Sequence, residues 1–332
     1  ENLFSKPNSE PRIDLLIDRQ LRSVIIRDTG TAIKQKDFEN VLTAFGNSPK
    51  RKMKARGFRG IGRLAGLAYC KELIFRSKTA DELFVNELRW DCLKLRQLLV
   101  DSDDDMALND IVRDITTINS VEHDPSKPDR YFEVRFNGVQ PIKNDILLNV
   151  PLIENYISQV CPVPFKNSFK YKNEITNWLA DASYSEYKIY INNSDQHITR
   201  PYSVNFNLSK DKTDDFSKVE LIDLKTNQDV TIAKGFILHH SYLGAINDST
   251  ISGVKVRSGN IQVGGNDIFR ALFKQERFNA WCVGEFHIID SKIKANGRRD
   301  GFEHNKNYYS FLDYIKPTAS NLSKIIEDTS RE

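Results

Sequence analysis

Val24-Ile25-Ile26-Arg27-Asp28-Thr29-Gly30-Thr31-Ala32 decides the reading of this chain. A short apolar run of β-branched residues ends on a carboxylate, and a glycine two positions later opens a turn. The segment before it alternates, with Ile13, Leu15 and Ile17 on one face, which predicts a neighbouring strand. After it, Phe38, Val41, Leu42 and Phe45 recur at helical spacing, so a helix is expected from Lys34 to Phe45, closed by Gly46. About thirty residues beyond Asp28 comes Gly57-Phe58-Arg59-Gly60-Ile61-Gly62, followed by a short helix expected near Arg63 to Cys70.

Each piece has a chemical use. A carboxylate at a strand end accepts a hydrogen bond from an exocyclic amino group such as that of adenine. Gly30 permits a tight turn beside a flat ring, where a side chain would clash. Bare N–H groups at a helix N-terminus suit phosphate oxygens. Singly these signals are weak, since Asp-x-Gly is most often an ordinary turn and a lone glycine cluster most often structural. Their order, spacing and strand–helix–loop–helix setting give them weight together.

Residues 25–30, Ile-Ile-Arg-Asp-Thr-Gly, resemble the first glycine box of the GHKL ATPases: gyrase, heat-shock chaperones of the ninety-kilodalton class, histidine kinases and MutL. Gly57-Phe58-Arg59-Gly60 is similar to the MutL and MORC form of the second box, and Gly60-Ile61-Gly62 to the chaperone form. The resemblance covers about residues 1–138 and implies an α/β two-layer sandwich, a mixed, mostly antiparallel sheet with helices on one face. It implies ATP as ligand, held by Asp28, Gly30, Ala32, Gly57, Gly60, Ile61 and Gly62, with Ser48 and Lys50 at the family's lid positions. It implies Mg²⁺ bound at Asn2, the Asn of a Glu-x-x-x-Asn box whose basic Glu would fall before residue 1. Two departures stand out. The third position of the first box is Ala32, not Gly, and Arg130-Tyr131 occupies the place of the usual Gly-Thr.

A second resemblance lies near the other end. Ile288-Ile289-Asp290-Ser291 followed by Ala295-Asn296-Gly297-Arg298-Arg299-Asp300 is similar to the middle domain of the heat-shock chaperone. It implies that Arg299, with Arg298 beside it, contacts the γ-phosphate, a role that suits a planar, permanently charged guanidinium. Two domains are therefore expected: a GHKL-type ATP-binding domain over 1–140 and an α+β transducer-like domain over 141–332, ending in a helix.

Composition bounds the alternatives. The 332 residues carry a formal net charge of only +3, so the balance alone gives no nucleic-acid or membrane footprint. No apolar run reaches the roughly 18 residues of a membrane span, and no secretory signal opens the chain. Cys70, Cys92, Cys161 and Cys282 lie far apart without ligand spacing, which suits free thiols in a cytoplasmic protein. The start without methionine suggests a piece of a longer polypeptide, with a tag scar as the rival reading. Six of the ten residues from Lys50 to Arg59 are basic, read first as a nucleotide lid, then as a solvated loop, then as a nucleic-acid contact.

Elsewhere, residues 81–100 read as an amphipathic helix and Tyr131–Phe136 as a strand. Strand-like runs follow at 186–191, 203–208, 219–224, 236–240 and 286–289, and a final helix is expected over Tyr308–Ile315. His239 and His240, adjacent on a strand, point to opposite faces and cannot jointly hold a metal. The leading function is an ATP-binding and ATP-hydrolysing conformational clamp of the chaperone type, with a homodimer and a protein client as partners. The alternatives are a MutL- or MORC-like ATPase acting on DNA in repair or defence, and a nucleotide-binding scaffold without hydrolysis.

Overall fold

The computed structural model describes residues 11–43, 62–101, 107–209 and 212–329. Contacts divide the chain into two compact units, one of residues 1–154 and 187–198, the other of 155–186 and 199–332.

The first unit is built on a seven-stranded sheet. In chain order its elements are β1 (Arg12–Asp18), β2 (Ser23–Asp28), α1 (Gln35–Thr43), β3 (Glu72–Lys78), β4 (Phe84–Asp91), α2 (Cys92–Asp101), α3 (Leu108–Ile115), β5 (Thr116–Glu122) and β6 (Tyr131–Asn137). The helix α4 (Val150–Val160) follows, and the chain passes into the second unit within it. After α5 (Lys172–Leu179) in the second unit, β7 (Lys188–Ile191) returns to complete the order β5-β4-β3-β6-β2-β1-β7. Every pairing is antiparallel except β1 with β7. The expected mixed, mostly antiparallel sheet is thus present.

Alternation sorts the two faces. Register puts Leu15, Ile26, Val134 and Phe75 in one row and Ile13, Asp28, Phe132 and Ser77 in the next. This face takes the helices: Phe38 and Leu42 of α1, Cys92, Leu95 and Leu98 of α2, and Val112 and Ile115 of α3 pack with Leu73, Phe75, Leu88 and Trp90. The other face is charged. Asp14, Arg27, Glu133, Arg76 and Glu87 follow one another straight across five strands, alternating in sign. Glu133 lies fully buried beneath Arg27 at 2.7 Å, Arg135 at 3.3 Å, Arg76 at 3.7 Å and Lys127 at 3.8 Å. Burial pushes its carboxyl up, yet the Arg27 hydrogen bond and the surrounding cations hold it below the ordinary value.

The helix expected over 81–100 is corrected by this sheet. Phe84–Asp91 is a strand paired on both edges, and only from Cys92 does the chain coil. Leu88 from the strand and Cys92 and Leu95 from the helix all face one core, so their spacing imitates a single helical stripe across the junction. Asp91 marks the change: its Oδ1 accepts the Leu93 and Lys94 N–H groups at 3.0 and 2.9 Å, an N-cap geometry.

The second unit carries β8 (Asn205–Asn207), β9 (Thr213–Asp215), β10 (Lys218–Lys225), β11 (Thr231–His239), β12 (Gly253–Ser258), β13 (Ile261–Val263), β14 (Val283–Ile288) and α6 (Lys306–Thr329). Five strands form a sheet in the order β10-β11-β14-β12-β13, and β8 pairs with β9. The final helix runs well beyond Ile315, through Pro317. An interior proline costs about 3 kcal/mol. The apolar stripe Phe311, Ile315, Ala319, Leu322 and Ile326 continues past it and is buried against Val254, Val256 and Phe286. That packing offsets the lost hydrogen bond.

Within this unit Glu285, Arg200 and Arg257 are all buried together. Both arginines donate to Glu285 Oε2, Arg257 Nε at 2.7 Å, and Tyr202 donates to Oε1 at 2.7 Å. Backbone carbonyls finish the set: Arg257 donates to Gln159, Val160, Cys161 and Asn260, and Arg200 to Val163. Burial pushes the Glu285 carboxyl up, but the two guanidinium charges and the His287 hydrogen bond hold it well below the usual range.

Candidate functional site

The turn after β2 is held at four points. Asp28 Oδ1 accepts the Gly30 N–H at 2.9 Å, closing an Asx turn over a buried glycine. Thr29 is stitched to the first residue of β1: its N–H donates to the Arg12 carbonyl, and its hydroxyl accepts the Arg12 N–H, both at 3.1 Å. Ser77, fully buried on β3, accepts the Ile33 N–H at 2.7 Å and donates back to the Ile33 carbonyl at 2.8 Å. Glu82 accepts the Gln35 N–H at 2.8 Å, placing a carboxylate where the first turn of α1 leaves N–H groups unpaired.

Ala32 has φ of +62°. The left-handed region costs a residue with a Cβ about 1–2 kcal/mol, which a glycine escapes. The departure from the glycine box therefore keeps the backbone shape of glycine while carrying a methyl group. Ile26, two residues before Asp28 on the same face, is 41% exposed although its row partners Leu15 and Phe75 are buried. An apolar surface thus lies open beside the carboxylate. The Gly30 N–H bond fixes the orientation of the Asp28 carboxylate. The arrangement suits a flat heterocycle with an amino group.

Ser77 and Glu82 escape sequence reasoning. The one available signal is that Ser77 continues the core-facing alternation Leu73, Phe75, Ser77, where a polar side chain needs a specific partner. Of the remaining expected ligands, Gly62 begins a 3₁₀ turn spanning Gly62–Ala68. Gly66 within it lies so close to the sheet that a Cβ would stand 2.7 Å from the Phe136 ring. Asn2, Ser48, Lys50, Gly57, Gly60 and Ile61, with the basic stretch from Lys50 to Arg59, lie outside the described residues.

Arg298 and Arg299 belong to the second unit, in a loop closed by the bridge between Ala295 and Phe302. Asn296 donates its N–H to Gly301 at 2.9 Å and receives that of Arg299 at 3.2 Å, while the Arg299 carbonyl accepts Gly264 N–H at 2.8 Å. Arg299 sits at φ +59°, a conformation a non-glycine residue holds only when neighbours fix it. Arg298 is exposed and Arg299 half-buried.

His239 ends β11 and His240 follows it; both rings pack against Tyr242, but their other polar partners differ. His239 meets Glu220 at 2.7 Å and Tyr242 Oη at 2.9 Å, while His240 meets Asp214 at 2.9 Å and the Trp281 carbonyl at 2.8 Å. Among the described residues no group of three or more His, Cys, Asp or Glu could hold a metal ion, and no helix is long and apolar enough to cross a membrane. No curated protein matches this chain. Residues 9–116, the segment that carries the Asp28 turn and its supports Ser77 and Glu82, match the family of histidine kinase-, DNA gyrase B-, and HSP90-like ATPases, and that match supports a GHKL-type ATP-binding domain in the first unit.

Proposed function

We propose that this chain binds ATP at the turn following β2 and uses it to drive a conformational clamp of the heat-shock-ninety chaperone type. The observation that carries the reading is the fixed carboxylate of Asp28 beside exposed Ile26, inside the segment that matches the ATPase family. In this reading Asp28 accepts the adenine amino group, and Ile26 and the Gly30 turn bear on the ring. The phosphates lie toward Gly57, Gly60 and Gly62, and Mg²⁺ is held with the help of Asn2. Arg299 supplies a charge to the terminal phosphate, a contact of about 1.5–3 kcal/mol when the group is ionised.

Calorimetric titration with a non-hydrolysable ATP analogue and Mg²⁺ tests the adenine assignment. Asp28→Asn, which replaces an acceptor oxygen by a donor, should weaken binding at least tenfold without changing the unfolding transition. Unchanged affinity would remove Asp28 from the site. Phosphate release measured on the same protein separates a hydrolysing clamp from a scaffold that only binds nucleotide.

A further inference from the structure

Four strands form the margins of the two larger sheets, β5 and β7 in the first unit and β10 and β13 in the second. A margin presents unpaired N–H and C=O groups that recruit other strands, and folds blunt it by shortness, charge or a cover. Three of the four are blunted. β7 has four residues, and its Ile189 carbonyl is taken by the Ile198 N–H at 2.8 Å. β13 has three residues. β10 carries Lys218, Glu220, Asp223 and Lys225, and its register shifts between Leu224 and Lys225.

β5 has none of these devices. It runs for seven residues, Thr116-Thr117-Ile118-Asn119-Ser120-Val121-Glu122, with its single charge on the last. β4 occupies one side along the whole length, from Trp90 opposite Thr116 to Phe84 opposite Glu122. Among the described residues, nothing but β4 bonds to the peptide groups from Thr117 to Glu122. Neither face is covered. Asn119 continues the charged row beyond Glu87, Ile118 continues the core-facing row beyond Leu88, and both are exposed, Ile118 at 42%.

The sequence of β5 suits its own copy. In an antiparallel pair related by a two-fold axis, one residue must oppose itself, because the axis keeps each side chain on its own face of the sheet. With Asn119 on the axis all seven residues find a mate: Thr116 meets Glu122, Thr117 meets Val121 and Ile118 meets Ser120. The only charge then meets a hydroxyl that can donate to it, not a like charge. Thr117 and Val121 form a β-branched pair of the kind strands favour. Asn119 faces an identical carboxamide, which donates and accepts at once. The Glu87 carboxylates, next in that row, stand three strand spacings apart, about 14–15 Å, where salt screens their repulsion.

We propose that β5 pairs antiparallel with β5 of a second copy of this chain about Asn119, joining the two seven-stranded sheets into one. The occupant follows from the strand itself: an open row of peptide groups, no internal charge, and a register in which every side chain meets a compatible mate. The inference is independent of the nucleotide reading, since Asp28 ends β2, four strands away in the sheet order.

Sedimentation equilibrium over a concentration series tests it. A monomer–dimer equilibrium is expected for the unaltered chain, and amide hydrogen exchange in residues 116–122 should slow as the dimer fills. Asn119→Lys sets like charges face to face and should raise the midpoint concentration about tenfold. Asn119→Glu should do the same, and an equimolar mixture of the two variants should regain the lost affinity. A chain that stays monomeric throughout, leaving the margin to another partner, would overturn the proposal. So would a dimer unmoved by both charge variants, a mixture that regains nothing, or protection that rises elsewhere but not in β5. Exchange is measured on the unaltered protein, so its result stands even where a variant fails to fold.

Discussion

In the first unit Glu133 lies buried on a sheet face whose arginines each keep part of the guanidinium in water, Arg27 at 15% and Arg135 at 27% side-chain exposure. In the second, Glu285 sits among Arg200 and Arg257, and none of the three reaches solvent. The same ion types are satisfied differently. On the first face the guanidinium groups are partly exposed to solvent, although the Nε of Arg135 is buried. In the interior backbone carbonyls complete the arginines' hydrogen bonds, and Arg257 collects those of Gln159, Val160 and Cys161 at the end of α4. A charge that water can rescue is a local feature, whereas one that only the fold can rescue is a condition of the fold.

The largest expected effect follows directly. Glu285→Gln leaves two buried guanidinium groups without a counter-charge, a class of change that costs about 3–5 kcal/mol. Urea unfolding should show the loss, and hydrogen exchange read by mass spectrometry should place it in the second unit. Glu133→Gln should cost clearly less, about 1–3 kcal/mol, because its cations can turn toward water. Equal losses for the two variants would break the comparison.

Acidity sharpens it further. Burial, against the pull of Glu285, brings the His287 imidazole down to about 4 from 6.5. Between those values the unfolded chain binds a proton that the folded chain refuses, so stability rises with pH across that window. It is lost as pH falls toward 4. Burial likewise brings Lys255 down to about 8 from 10.5, so its own contribution to stability rises between those values. Unfolding midpoints should climb from pH 4 to 6.5, and again from pH 8 to about 9, where Lys255→Met should flatten the rise; above 9 the thiols of Cys161 and Cys282, pushed up by burial, oppose it. The smallest effect is expected in the first unit. Ala32→Gly relieves the left-handed φ and should change stability by no more than about 1 kcal/mol, with nucleotide affinity as the more telling readout.

What the sequence made legible was local. The strands around Leu15 and Ile26, the Asp28 turn and the helix from Gln35 follow from period and turn chemistry within a few dozen residues. What escaped depends on residues far apart. The strand Phe84–Asp91 was hidden because Leu88, Cys92 and Leu95 share a core across a change of element. Ser77 earns its role only once Ile33, 44 residues earlier, is folded against it. The Arg200, Arg257 and Glu285 cluster draws on three distant segments, and its only local trace is two basic residues, Lys255 and Arg257, inside an otherwise apolar strand.

The parallel edge strand Lys188–Ile191 has a consequence for how the molecule is made. When the chain up to Glu154 has left the ribosome, β1 can already join β2, but its outer row of amides and carbonyls has no mate among the described residues until β7 follows, more than thirty residues later. Until then the nascent chain carries an unsealed seam of the kind that recruits other strands. Any shortened version cut where the second unit begins would keep that seam for good, so a self-sufficient first unit has to include the later strand.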